Sequence, residues 1–177
     1  LVIGLDLGGT NSVFGIVDGG GEIIATTSIK TQTFQRVEQY VEESVKAVMQ
    51  IVEQVGGIEK IRAMGIGAPC GNYYKGTIEN AANLVWAKGI VPLADMFAEK
   101  LGIPVAITND ANAAAMGEMK YGAAVGMKNF VELTLGTGVG SGIVANGQLI
   151  YGCDGFAGEL GHMGVDPDGR PCGCGRK

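Results

Sequence analysis

Two stretches of this chain repeat one pattern, and the pattern admits few folds. Residues 7–17 read LGGTNSVFGIV and residues 135–144 read LGTGVGSGIV. Each is the end of an apolar strand, a Gly/Thr turn, then a second strand carrying Gly and Ile-Val, which is the mark of a hairpin. A glycine at such a turn lets backbone N–H groups approach an anion because no Cβ intervenes, so both turns suit phosphate. A plain tight turn uses the same residues, and glycine-rich hairpins resemble one another by chance; the other reading is a pair of duplicated halves facing each other. No G-x-x-x-x-G-K-[ST] occurs, nor a G-x-G-x-x-G opening a helix, so neither a Walker NTPase nor a dinucleotide fold is supported.

Glycine is in excess throughout, 31 residues of 177, with only 5 prolines. Together they make 36 of 177, about 20 %, below the roughly 25–30 % of low-complexity disorder, and no G-X-Y period exists. With 46 % hydrophobic residues the chain can bury a core. Lys+Arg 13 against Asp+Glu 18 gives 13 − 18 = −5, with no basic cluster, which argues against nucleic-acid binding by this segment. No apolar run approaches a membrane span, and the first residues lack a secretory pattern, so a soluble, cytoplasmic protein is expected. The chain opens at Leu1 inside what reads as a strand and stops in a Gly/Lys/Arg stretch; both ends are expected to be cut.

Strands are expected over residues 1–6, 11–18 and 22–30. The period then changes: Val37, Val41, Val45, Val48, Val52 and Val55 step at the 3.6 spacing of a helix whose stripe lies on the sheet. Gly56-Gly57 ends it, and Ile61 to Ala68 gives a strand ending at Pro69. Residues 71–89 read as an irregular surface loop, Pro92 to Lys100 as a helix, and Pro104 to Ile107 as a short buried strand. An Ala-rich helix runs from about Ala111 to Tyr121, and fresh strands begin at Phe130. A domain boundary near Gly122 to Lys128 divides an α/β domain, residues 1–122, from residues 123–177.

Three constellations carry chemistry. Asp6 precedes the Leu7-Gly8-Gly9 turn, where its carboxylate can face Mg²⁺ held by the same phosphates. Asp110, backed by Asn109 at a strand end, either caps the Ala-rich helix or accepts a proton from a hydroxyl attacking phosphorus. His162, the one histidine, lies nine residues after Cys153 and ten before Cys172, with Cys174 close by. That set suits Zn²⁺, with a fourth ligand from beyond Lys177 or from Cys153; reduced thiols and a surface histidine are the alternative, and disulfides are disfavoured in a cytoplasmic chain. Cys70, alone near a proline, reads as structural.

Six motifs stand in one order: Asp6-Leu7-Gly8-Gly9-Thr10-Asn11, Gly67-Ala68-Pro69, Thr108-Asn109-Asp110-Ala111-Asn112-Ala113-Ala114, Leu135-Gly136-Thr137-Gly138-Val139-Gly140, Gly158-Glu159-Leu160-Gly161-His162 and Cys172-Gly173-Cys174-Gly175. Together they resemble the ROK family of sugar kinases and sugar-responsive repressors, nearest its bacterial glucokinase-like members, over nearly the whole chain. The resemblance implies an actin-like, ribonuclease-H-type ATPase fold of two α/β domains, the second truncated here. It implies an ATP-dependent kinase acting on the 6-hydroxyl of a hexose, glucose first, at the entry to glycolysis, with ATP, Mg²⁺ and structural Zn²⁺. Fructose, mannose or an N-acetylhexosamine are other acceptors in the family, and a sugar-responsive repressor is the alternative from another class.

Carried over by position, Gly8, Gly9, Thr10 and Asn11 would form the first phosphate loop and Gly136, Thr137 and Gly138 the second. Asp110 would be the catalytic base and Asp6 would help hold the metal. Asn83, Asn109, Asp110, Glu159 and His162 would bind sugar hydroxyls, and His162, Cys172 and Cys174 would be three zinc ligands that position the sugar-binding segment. Family members usually continue the cysteine motif through a further Gly-Cys-Leu-Glu, which this chain does not reach. The fragment alone is therefore expected to be inactive, the full protein a homodimer. Cys70 stands where many members have glycine, which bears at most on sugar preference.

Overall fold

The apolar amino-terminal run folds as strand β1 (Val2–Leu7), which turns back into β2 (Ser12–Val17) and on to β3 (Ile23–Ile29). The computed structural model describes residues 1–136, 138–172 and 175. Two units divide the chain, Leu1–Asp110 and Ala111–Lys177. In the first, helix α1 (Val37–Gln54) leads to β4 (Met64–Ala68), then to β5 (Gly71–Asn72), β6 (Thr77–Glu79) and β7 (Ile90–Val91). Helix α2 (Leu93–Leu101) and β8 (Val105–Asn109) follow. Gly102, at φ 69, takes the left-handed cap that stops α2.

The main sheet has the order β3-β2-β1-β4-β8. The hairpin partners β1, β2 and β3 are antiparallel, whereas β1, β4 and β8 run parallel and need the crossovers that α1 and α2 provide. Alternation decides the faces. Ile3, Leu5 and Leu7 of β1, Phe14 and Ile16 of β2, Met64 and Ile66 of β4 and Ile107 of β8 are buried together with α1 and α2. Each such side chain contributes roughly 1.5–3 kcal/mol on removal from water. The opposite face carries the aligned glycines Gly15, Gly4 and Gly65, with Val2 and Val13 exposed, and Asp6 belongs to that face.

The buried stripe of α1 is Tyr40, Val41, Ser44, Val48, Ile51 and Val52. It is rotated from the valine stripe read in the sequence, because Val37, Val45 and Val55 only flank the core while Tyr40 and Ser44 enter it. The expectation of an irregular surface loop over 71–89 is corrected. β5, β6 and β7 form a second, three-stranded antiparallel sheet, and Asn72, Ile78, Ala81, Leu84, Trp86 and Ala87 are buried. Strands of two or three residues show no alternation long enough to read.

Asp110 is the first residue of helix α3 (Asp110–Tyr121). The second unit continues with the hairpin of β9 (Phe130–Leu135) and β10 (Val139–Ala145), to which β11 (Gln148–Leu149) adds an edge. Two glycines of β10 let α3 come close: a Cβ on Gly140 would lie 3.0 Å from Ala111 Cβ, and one on Gly142 2.5 Å from Ala115 Cβ. Residues 160–162 make a single 3₁₀ turn.

Candidate active site

Because β1, β4 and β8 are parallel, their carboxyl ends share one edge, where ligands of open α/β sheets bind. Asp6 is level with Gly67, Gly67 with Thr108 and Ala68 with Asn109, so the Asp6, Gly67-Ala68-Pro69 and Asn109-Asp110 motifs meet there. The Gly8–Asn11 turn opens at the same edge, closed by the Gly8 N–H donating to the Asn11 carbonyl at 3.0 Å. A Cβ on Gly8 would stand 2.9 Å from that carbonyl, so glycine is required by contact. Asn83 lies over the turn: a Cβ on Gly9 would be 3.0 Å from its carbonyl oxygen and 3.3 Å from its Nδ2.

Asp6 and Asp110 interact electrostatically at this edge. The Asp6 carboxyl is raised above its ordinary 3.8, first by desolvation and then by the negative charge of Asp110. Asp6 is exposed by area, yet the strand ends around it remove enough water to disfavour its charge. Asp110 begins α3, where the helix dipole favours an anion. Capping and catalysis are thus compatible for one carboxylate. Two carboxylates beside a glycine turn offer the oxygen donors that hard cations such as Mg²⁺ prefer.

In the second unit the β9–β10 turn is closed by the Gly136 N–H donating to the Gly138 carbonyl at 3.0 Å. Thr137, assigned to this phosphate loop, lies outside the described residues. Residues 158–162 pack along β10. The Ser141 hydroxyl donates to the Gly158 carbonyl and accepts from the Leu160 N–H at 3.2 Å. Gly161 abuts the Val139 carbonyl so closely that any Cβ would overlap it. Glu159 and His162 therefore stand beside the second turn, their Oε2 and Nε2 3.8 Å apart and both about half exposed.

Cys174 lies outside the described residues, and among the described residues no group of three or more His, Cys, Asp or Glu is placed to hold a metal. Ser12, Thr31, Tyr40 and Trp86, which belong to none of the six motifs, pack together beneath the first turn. The local sign is the serine that opens the otherwise apolar β2.

A five-stranded mixed sheet with helical crossovers and a glycine turn between its first strands defines an α/β fold of the actin-like ATPase class. The model of the ROK family matches residues 2–177, and the chain belongs to that family. A glucokinase of Streptomyces coelicolor is 40 % identical over 176 residues, covering 99 % of this chain and 53 % of the relative. The structure of a ROK family glucokinase from Streptomyces griseus, in complex with glucose and AMPPNP, superposes with a TM-score of 0.81 at 39 % identity, covering 100 % of this chain and 55 % of that one. A xylose repressor of Caldicellulosiruptor bescii is 34 % identical, covering 98 % of this chain and 44 % of its own. The chain thus spans about half the length of the relatives it matches. No described helix is long and apolar enough to cross a membrane.

Proposed function

We propose that the whole protein is an ATP-dependent hexose kinase, with glucose the first acceptor to test. The observation that carries this reading is the placing of two carboxylates, Asp6 and Asp110, at one sheet edge beside the Gly8–Asn11 turn, in a chain this similar to glucokinases. Asp110 takes the proton of the sugar 6-hydroxyl as its oxygen attacks the γ-phosphorus; the bond to the β,γ-bridging oxygen breaks and ADP leaves. Asn83, Asn109, Glu159 and His162 hold sugar hydroxyls. The turns of Gly8, Gly9, Thr10 and Asn11 and of Gly136, Thr137 and Gly138 hold the phosphates. Asp6 would hold Mg²⁺, whose contribution when bound is to neutralise phosphate charge.

Zinc is proposed on donor chemistry alone, through His162, Cys172 and Cys174 as a structural site, and no step depends on it. The same reading takes residues 1–122 and 123–177 as the two domains, and the full protein as a cytoplasmic homodimer working in glycolysis. A coupled kinase assay of the full-length protein across glucose, mannose, fructose and N-acetylhexosamines tests the proposal. Asp110→Asn should cut turnover by about 10²–10⁴; near-normal turnover in that variant would remove Asp110 from the role of base.

The second reading, a sugar-responsive repressor, is favoured by the 34 % identity to a xylose repressor. A winged helix-turn-helix encoded ahead of Leu1, together with sugar binding and no transfer from ATP, would establish it over the kinase.

A further inference from the structure

Beneath the first turn lies a set of buried hydroxyls that the proposed reaction does not use. Ser12 opens β2 directly after the turn, and its Oγ lies 2.7 Å from Thr31 Oγ1 and 2.9 Å from the Tyr40 hydroxyl. All three residues are at most 1 % exposed. Burial pushes the Tyr40 phenol up to about 12, offset in part by the Ser12 and Ser44 hydroxyls, so it keeps its proton at neutral pH. Gln32, next to Thr31, donates its N–H to the Thr10 carbonyl in a long hydrogen bond of 3.5 Å.

The ring of Tyr40 faces elsewhere. It stacks on Trp86, with centroids 4.7 Å apart and planes at 21°. Trp86 belongs to the segment that carries Asn83, and Asn83 lies over Gly9. Gly9, Thr31, Gln32, Asn83 and Trp86 line one small cleft. These contacts, with the chain from Asn83 to Trp86, close a circuit from the turn through Ser12, Tyr40, Trp86 and Asn83 back to the turn.

A buried polar set gains nothing in stability over a well-packed apolar one unless every member is satisfied, but it specifies one arrangement of the groups it joins. We propose that Tyr40 is a positioning residue: its hydroxyl fixes the first phosphate turn through Ser12 while its ring fixes the Asn83 segment through Trp86. One side chain thereby sets the spacing between the nucleotide-binding and sugar-binding elements of the first unit. This rests on the kinase reading above.

Two variants of the full-length protein separate the two contacts. Tyr40→Phe keeps the stack and removes the hydroxyl; Trp86→Leu keeps the hydroxyl and removes the stack. Steady-state kinetics with ATP and the best hexose should show Tyr40→Phe raising KM for ATP about fivefold, the size of one lost neutral hydrogen bond, with KM for the hexose within about twofold. Trp86→Leu should raise KM for the hexose more than that for ATP. A structural role alone would lower the melting temperature and the amount of active enzyme without splitting the two KM values. Unchanged KM for ATP in Tyr40→Phe, or equal shifts in both constants, overturns the inference, and that variant alone decides it if Trp86→Leu does not fold. A wild-type protein that phosphorylates no hexose removes the kinase reading and this inference with it, an outcome distinct from an active wild type matched by Tyr40→Phe.

Discussion

Gly71 is where the small sheet meets the carboxyl edge, and replacing it with alanine tests how tightly the candidate site is held. The residue is buried in β5, and a Cβ there would overlap the Thr108 carbonyl oxygen and lie 2.6 Å from its carbon and 3.1 Å from the Ala68 oxygen. Ordinary contact begins at 3.4 Å, so the main chain at Thr108 must retreat by about 1 Å. No flexible side chain can absorb this, because every atom met belongs to the backbone of β4 or β8. Overpacking typically costs 1–3 kcal/mol, and this case belongs at the upper end, about 3 kcal/mol. Thr108 pairs with Gly67 and is followed by Asn109 and Asp110, so its retreat carries the proposed base with it. A misplacement of about 1 Å can cost on the order of 10² in rate. Urea denaturation followed by the emission of Trp86, and turnover with saturating ATP and hexose, read the two effects. Gly71→Ala with stability within about 0.5 kcal/mol of the parent and unaltered turnover would refute the reasoning, because neither strand would then be fixed where the contact distances place it.

Asp6 gives a pH prediction whose sign follows from its raised carboxyl. Its folded value lies above the unfolded 3.8, so folding takes up a proton between the two, and the stability this contributes is lost as pH rises through the folded value. Asp6→Asn is therefore expected to raise the melting temperature modestly at pH 7 and leave it unchanged at about pH 3, while lowering turnover; equal melting shifts at both pH values would contradict this. Gly142→Ala places a Cβ 2.5 Å from Ala115 Cβ and 3.0 Å from the Ala111 oxygen, and should destabilise by about 1–3 kcal/mol. Ala115→Gly should recover only part of that loss in the double variant, since the Ala111 contact persists and a helical glycine costs roughly 1 kcal/mol. For zinc, elemental analysis of the full-length protein should find about one ion per chain, lost on Cys172→Ala; metal-free purified protein would end that proposal.

Local pattern made most elements legible. The hairpin of β1 and β2 and the helix α1 follow from apolar runs and a 3.6 spacing that each hold over many residues. The small sheet was hidden because Gly71-Asn72 and Thr77–Glu79 carry no apolar alternation and exist only through pairing with each other and with Ile90–Val91. Tyr40 and Ser44 were missed on α1 for a related reason. A stripe counted in valines excludes polar side chains, although both residues are buried and Tyr40 is met there by the Ser12 hydroxyl and the Trp86 ring.

The candidate site was more legible than the sheet that builds it, and strand direction explains why. A parallel strand ends where its chain must leave the edge, which calls for glycine, proline or a helix-starting Asn-Asp. The same edge exposes backbone dipoles and carboxylates to a ligand. Residues 6–11, 67–69 and 108–110 each end a strand of that kind, so each looks like a motif in isolation. Only the parallel pairing of β1 with β4 and of β4 with β8 makes them neighbours, and that pairing leaves no local mark in the sequence. The electrostatic interaction of Asp6 with Asp110 is its first physical consequence. Two acidic groups far apart in the chain come within electrostatic reach because their strands run the same way, and the charge of Asp110 adds to the desolvation that raises Asp6.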